Sequence, residues 1–251
     1  MRFLFFFILS TTIFSQNFIY KFDDGVYRLE IKGNGSYYYQ NRKISDFFTN
    51  LRCNLFIKKE KKENGIFSIK ITPRKVFLSI NGFVVEDITD SESAISKVIP
   101  SLRIKIKENG EILKTENISE GIFGISPVLK FFPVFPERIY KNKRWIQKIP
   151  QFNFFGIPLS SLEFWYIYKG KFKNLHKFEI FSNQFIKESR ENNISVEFKG
   201  INKTGGNLFF DKENGRIKSI KAVSDLYLKI IFKRINPLTL KLKIIFFLEK
   251  I

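Results

Sequence analysis

The chain of 251 residues holds one cysteine, Cys53, and one histidine, His176. A lone thiol cannot close a disulfide within the chain, and one thiol with one imidazole falls short of a structural zinc site. Any serine–histidine–aspartate arrangement has to use His176. The chain has no Gly-Lys-Ser/Thr phosphate loop and no Gly-x-Ser-x-Gly elbow. After the amino terminus, lysine interrupts every apolar run before it reaches the roughly 20 residues of a membrane-spanning helix. Regular strand–helix alternation is missing as well, which argues against a doubly wound or barrel enzyme. These absences leave no predicted cofactor, no predicted metal site and no predicted transmembrane span.

Charge is abundant but lopsided. Lys and Arg number 43 against 24 Asp and Glu, a net charge of +19. Residues 1–125 carry 19 basic and 14 acidic side chains, and residues 126–251 carry 24 and 10. The positive excess therefore belongs to the second half. Lys outnumbers Arg by 32 to 11, and Phe reaches 31 residues. Phe, Ile, Lys and Asn share AT-rich codons, so nucleotide bias enriches all four and dilutes charge as a functional signal. The hydrophobic fraction of 44% still suffices for a packed core.

The first residues have the layout of an export signal. Arg2 precedes an apolar run over residues 3–9, Ile13 and Phe14 extend it, and the small Ser15 comes before polar Gln16 and Asn17. A signal peptide over residues 1–15 and an exported protein are expected.

Beyond it, the chain is punctuated like an antiparallel β protein. Asn-Gly pairs fall at Asn34, Asn64, Asn81, Asn109 and Asn214, and such pairs suit tight hairpin turns. Arg103-Ile104-Lys105-Ile106-Lys107 alternates as a half-buried strand does. Lys-Glu-Asn-Gly recurs from Lys62, Lys107 and Lys212, each time between strand-like segments. Only residues 90–99 look helical, with Asp90 as N-cap and Pro100 as terminator. Gly121, Gly124, Pro127, Pro133 and Pro136 make a breaker-rich connector carrying Phe131, Phe132 and Phe135. It divides a first β half, 16–125, from a second, 126–251.

Three short motifs resemble an uncharacterised bacterial family of exported β-rich proteins and lipoproteins with a Gly-x-Tyr, Leu-Pro-x-Lys and Gly-Asp-x-Trp layout. Here they read Gly25-Val-Tyr27, then Phe135-Pro136-Glu137-Arg138, then Asn142-Lys143-Arg144-Trp145. Asp211 to Ile217 is similar to the family's final turn. Asn142, Lys143 and Phe135 depart from the family's usual Gly, Asp and Leu. The resemblance implies export and β architecture, with no chemistry attached. It also marks Trp145, just after the connector, as the expected anchor between the halves.

Candidate chemistry is sparse. His176, Phe178 and Ile180 share a strand face, so the imidazole reads as a sheet residue. Cys53 alternates with Leu51 and Leu55 and reads as a core thiol. Gly33-Asn34-Gly35 lacks the third glycine of a dinucleotide fingerprint and reads as a turn. Glu163 precedes Phe164, Trp165 and Tyr166, as in some sugar sites. Glu86, Asp87, Asp90 and Glu92 form the densest acidic cluster but lack calcium-loop spacing. The basic stretches are Lys141, Lys143, Arg144 and Lys148 around Trp145, then Lys229, Lys233 and Arg234, then the alternating Lys169, Lys171 and Lys173. That last strand is expected to show three ammonium groups on one face and to meet an anionic surface. An exported, lysine-dominated protein suits anionic lipid, lipopolysaccharide or acidic glycan better than nucleic acid, whose base readout favours arginine.

The expected fold is all-β with one short helix. Long antiparallel hairpins in two similar halves form a curved sandwich or an incompletely closed barrel. The expected function is a non-catalytic binding or structural module of the cell envelope or extracellular space. A periplasmic carrier of a lipid or other hydrophobic ligand is the alternative, and a carbohydrate-active enzyme the third reading.

Overall fold

A computed structural model describes residues 15–88, 101–116, 133–154, 157–191, 195–232 and 235–251. The predicted signal run before Ser15, the predicted helix over 90–99 and most of the connector lie outside these residues.

Among the described residues, twelve strands form one antiparallel sheet. They are β1 (Gly25–Tyr39), β2 (Arg42–Glu63), β3 (Ile66–Ile80), β4 (Phe83–Ile88), β5 (Leu102–Lys107), β6 (Ile112–Glu116), β7 (Arg144–Phe154), β8 (Ile157–Phe172), β9 (Leu175–Glu191), β10 (Ser195–Asp211), β11 (Arg216–Phe232) and β12 (Ile235–Lys250). The order is β6-β5-β3-β2-β1-β12-β11-β10-β9-β8-β7, with β4 on β3. Among the described residues β6 and β7 do not pair, and the sheet is open and not closed into a barrel. The β1–β12 ladder joins the strands before the connector to those after it. Among the described residues there is no helix.

Period-two alternation makes these strands and aims one face inward. In β5, Leu102, Ile104 and Ile106 are buried while Arg103 and Lys105 are exposed. Leu29, Leu51, Leu55, Leu226, Leu228, Leu240 and Leu242 continue this inner face across the middle of the sheet. Cys53 lies opposite Leu29, and burial pushes its thiol up to about 12. It is the core thiol expected.

The Asn34-Gly35 turn is not there. β1 runs straight through it, and the chain reverses at Gln40-Asn41, both with positive φ. Gly35 serves close approach instead: a Cβ there would lie 2.4 Å from the Phe47 ring and 2.9 Å from the Lys241 carbonyl.

The three Lys-Glu-Asn-Gly segments are turns, and all three gather at one end of the sheet. Residues 16–22 run across that end. The Tyr20 N–H donates to the Glu108 carbonyl at 2.6 Å, and the Lys21 N–H donates to the Gly215 carbonyl at 2.8 Å. The Glu108 N–H in turn reaches the Gly65 carbonyl at 3.2 Å. Gly215, at φ +57, has the Lys21 backbone nitrogen 2.7 Å from where a Cβ would stand. The end of the connector adds a second layer. The Phe135 N–H donates to the Asn109 carbonyl at 2.7 Å, and Gln16 and Ile139 form a β-bridge.

Aromatic rings fill this closed end. Phe18 is 2% exposed and touches Phe135, Tyr168, His176, Phe178 and Phe210 at centroid distances of 4.9 to 5.9 Å. Trp145 on β7 stacks on Tyr166 at 5.4 Å and meets Phe135 at 6.3 Å. The tryptophan therefore links the end of the connector to the strands of the second half. Beside this nest, the void between Tyr20, Tyr27 and Ile217 measures about 30 Å3, room for one water and not for an acyl chain.

Candidate functional site: a lysine-rich outer face

The three lysines singled out in the sequence are not brought together. The register shifts between Tyr168 and Gly170, which breaks the alternation that would place them on one face. Lys169 points outward and pairs with Glu179 at 3.3 Å. Lys171 lies opposite His176 at the end of the inner face. Lys173 sits in the hairpin turn at φ 54.

The other sequence candidates resolve quietly. His176 is buried beneath Phe18, with the Tyr168 hydroxyl 2.7 Å from its Nδ1. Burial, then the nearby Lys212 and Lys171 charges, push its pKa down to about 4. The imidazole is therefore neutral at physiological pH, with a phenol and not a serine beside it. Glu163 pairs with Lys148 at 2.8 Å rather than with a second carboxylate. The side chains of Glu86, Asp87, Asp90 and Glu92 lie outside the described residues, as do Lys233 and Arg234. Lys143 sits over the Tyr140 ring at 5.3 Å.

A different cationic site appears once the strands are in register. Residues opposite each other in paired strands share a face. Tracing the ladders across β9, β10, β11, β12, β1 and β2 gives three successive rows on the outer face. The first is Asn183, Lys203, Asp225, Lys243, Asn34 and Phe48. The second is Phe185, Ile201, Tyr227, Lys241, Ser36 and Asp46. The third is Lys187, Lys199, Lys229, Thr239, Tyr38 and Lys43. Each row spans five strand spacings, about 24 Å.

These rows hold seven lysines and two aspartates. Lys43 pairs with Asp46 at 2.9 Å, and Lys199 pairs with Glu197 at 2.9 Å. Lys187, Lys203, Lys229, Lys241 and Lys243 form no ion pair among the described residues. Asp225, the cross-strand neighbour of both Lys203 and Lys243, forms none either. Lys241 lies over the Tyr38 ring at 4.7 Å. Large apolar side chains stand among the cations: Phe185 is 81% exposed, Phe48 53% and Tyr227 46%. A groove of about 480 Å3 runs through the middle, between Lys203, Lys241 and Lys243 and beside Ile201 and Tyr227.

No family model and no curated protein matches the chain. A solved structure described as "lipid-protein interactions in lipovitellin" aligns with 92% of this chain at 13% identity and a TM-score of 0.48. This chain spans 25% of that one. A likeness at this level carries no functional argument.

Chemically, the outer face offers unpaired ammonium groups, exposed rings and an open groove. The described residues contain no group of three or more His, Cys, Asp or Glu side chains that could hold a metal ion. The face can hold anions by charge and apolar groups by contact. Sequence reasoning missed it because its seven lysines are spread over five strands that only the sheet brings side by side. The one signal pointing there was the charge excess of the second half, which supplies six of the seven.

Proposed function

We propose that the protein is an exported, non-catalytic binding module of the cell envelope or extracellular space, and that the outer face of β9–β12 and β1 takes up an anionic surface. The resemblance to the exported β-rich family belongs to this proposal. The observation that carries it is a set of five lysines without ion pairs among the described residues on one face, three of them (Lys203, Lys241 and Lys243) lining the groove and Lys229 one row away. Unpaired ammonium groups on one sheet face add their fields, and the attraction acts over a Debye length of about 8 Å at physiological salt. Each lysine near an anionic membrane contributes about 1 kcal/mol at most. Four acting together are then worth up to about 4 kcal/mol, enough to turn negligible binding into measurable binding. The buried His176 and the paired Glu163 support the non-catalytic reading.

The test is co-sedimentation with phosphatidylglycerol vesicles and with lipopolysaccharide at low and high salt. Wild type pellets at low salt and is released at high salt. A variant with Lys203, Lys229, Lys241 and Lys243 changed to Gln loses at least tenfold in affinity. The Lys169, Lys171 and Lys173 triple Gln variant retains most binding, because those side chains point in different directions. Equal pelleting of wild type and the quadruple variant under both conditions refutes the proposal.

A further inference from the structure

The hairpin tip between β3 and β4 has a feature that the lysine rows do not explain. Asn81 and Gly82 reverse the chain with φ values of 51° and 81°. The tip is stitched to β2 on both sides. The Asn81 N–H donates to the Phe48 carbonyl at 2.8 Å, and the Phe48 N–H donates to the Asn81 Oδ1 at 2.7 Å. It is a braced turn.

The side chains around it are apolar and exposed. Phe83 is 78% exposed, Val84 57%, Phe48 53% and Ile80 39%. They are also divided between the two faces. Ile80 lies opposite both Thr49 and Phe83, which places Ile80 and Phe83 on the inner side. Phe48 lies opposite Asn34, and Val84 opposite Ser79, which places these two on the outer side. A hairpin covering a core carries apolar side chains on one face only. The exposed apolar groups of this braced tip are not accounted for by core packing, and those on the outer side adjoin the lysine rows.

The position of the tip says what those groups meet. Phe48 ends the same register row that holds Lys203 and Lys243. Arg42 and Lys43, the latter paired with Asp46, begin the strand that carries Phe48. Cations bordering an apolar point match a bilayer, where anionic headgroups overlie acyl chains. An acidic polysaccharide offers the charge without the apolar layer.

We propose that the β3–β4 tip dips into the interfacial layer of an anionic lipid bilayer through Phe48 and Val84 on its lysine side, with Phe83 at the turn beside them, while the lysine rows rest on the headgroups. The inference deepens the anionic-surface reading and rests on it. It fixes the partner as a membrane and orients the protein with its outer sheet face downward.

The experiment uses the full chain with Phe83→Trp as a reporter and phosphatidylcholine vesicles with or without phosphatidylglycerol. The emission of Trp145 and Trp165 is subtracted using the parent protein. Insertion shifts the added emission to the blue on anionic vesicles, and brominated acyl chains quench it. A second variant, Phe83→Gln with Val84→Gln, changes only exposed positions. It lowers vesicle affinity about tenfold or more, the scale set by returning one large apolar side chain to water. Its retention on an immobilised acidic polysaccharide stays as it was. If the protein pellets with vesicles but the emission of the introduced indole neither shifts nor is quenched, insertion is overturned and the anionic-surface reading stands. Binding to polysaccharide without binding to vesicles has the same consequence. Binding to neither overturns both.

Discussion

Replacing Phe18 with Ala tests whether the amino-terminal segment is a structural part of the sheet's closed end. The ring is 2% exposed and meets five other rings within 5.9 Å. Truncating a buried Phe costs about 3–5 kcal/mol from lost transfer energy and the cavity left behind. Aromatic pairs add about 0.5–1.5 kcal/mol each beyond area burial, so the upper part of that range applies. The hydrogen bonds of Tyr20 and Lys21 to the turn carbonyls hold the segment in place, which limits how far it can collapse into the gap. A loss of about 4 kcal/mol is expected. Against a typical stability of about 5–15 kcal/mol this is a large fraction, and the unfolded population rises roughly a thousandfold. Urea unfolding followed by far-ultraviolet circular dichroism reads the loss as a lower midpoint with an unchanged slope. Phe185→Ala is the control: that ring is 81% exposed, and its removal changes stability by about 0.5 kcal/mol or less. If Phe18→Ala and Phe185→Ala unfold at the same midpoint, the segment is not part of the folded unit and the account of the closed end is wrong.

Two further outcomes follow from the same region. The folded His176 has a pKa of about 4 against an ordinary 6.5, so the unfolded chain binds the proton more readily. Its contribution is complete above pH 6.5 and drains away as pH falls toward 4. The loss is at most roughly 3 kcal/mol, reduced where solvent at the sheet end screens the Lys212 and Lys171 charges. His176→Asn should flatten that part of the stability profile, and parallel wild-type and variant profiles would contradict the burial argument. Trp145→Ala should cost about 3 kcal/mol through its lost contacts with Tyr166, Phe178 and Phe135. Trp145→Phe should cost about 1 kcal/mol or less, because the buried indole N–H has no acceptor among the described residues to lose. A Phe variant as unstable as the Ala variant would show that the indole edge matters in a way these contacts do not.

Some of this protein was legible in its sequence. Alternation is a property of the extended backbone itself, so Arg103 to Lys107 displayed their inner and outer sides without any partner strand. The Asn-Gly signal located the reversals at Asn64, Asn81, Asn109 and Asn214, because positive φ is a local demand. The core role of Cys53 and the strand position of His176 followed from the same local period. The signal misled at Asn34-Gly35, where glycine makes room for the Phe47 ring and the neighbouring strand, a contact with residues distant in the chain. It misled again at Lys169, Lys171 and Lys173, because one irregularity beside Gly170 turns a lysine to the other face.

The outer lysine rows were not legible as a site, although the charge excess of the second half and Lys229 were. Their members stand one to a strand across six strands, and no local window contains two neighbouring columns. Register decides which residues become neighbours, and it is set by hydrogen-bonded pairing over the whole length of each strand. The braced β3–β4 tip depends in the same way on Phe48 reaching Asn81 across the sheet. The closed end shows both levels at once. The recurring Lys-Glu-Asn-Gly was plain in the sequence as a turn, but only the folded sheet brings the three turns together around Tyr20 and Lys21. Composition and period are carried by the chain one residue at a time, so the sequence determined the β class and the excess of positive charge. Neighbours across strands are made by closing long loops, so where that charge converges was decided by the tertiary structure.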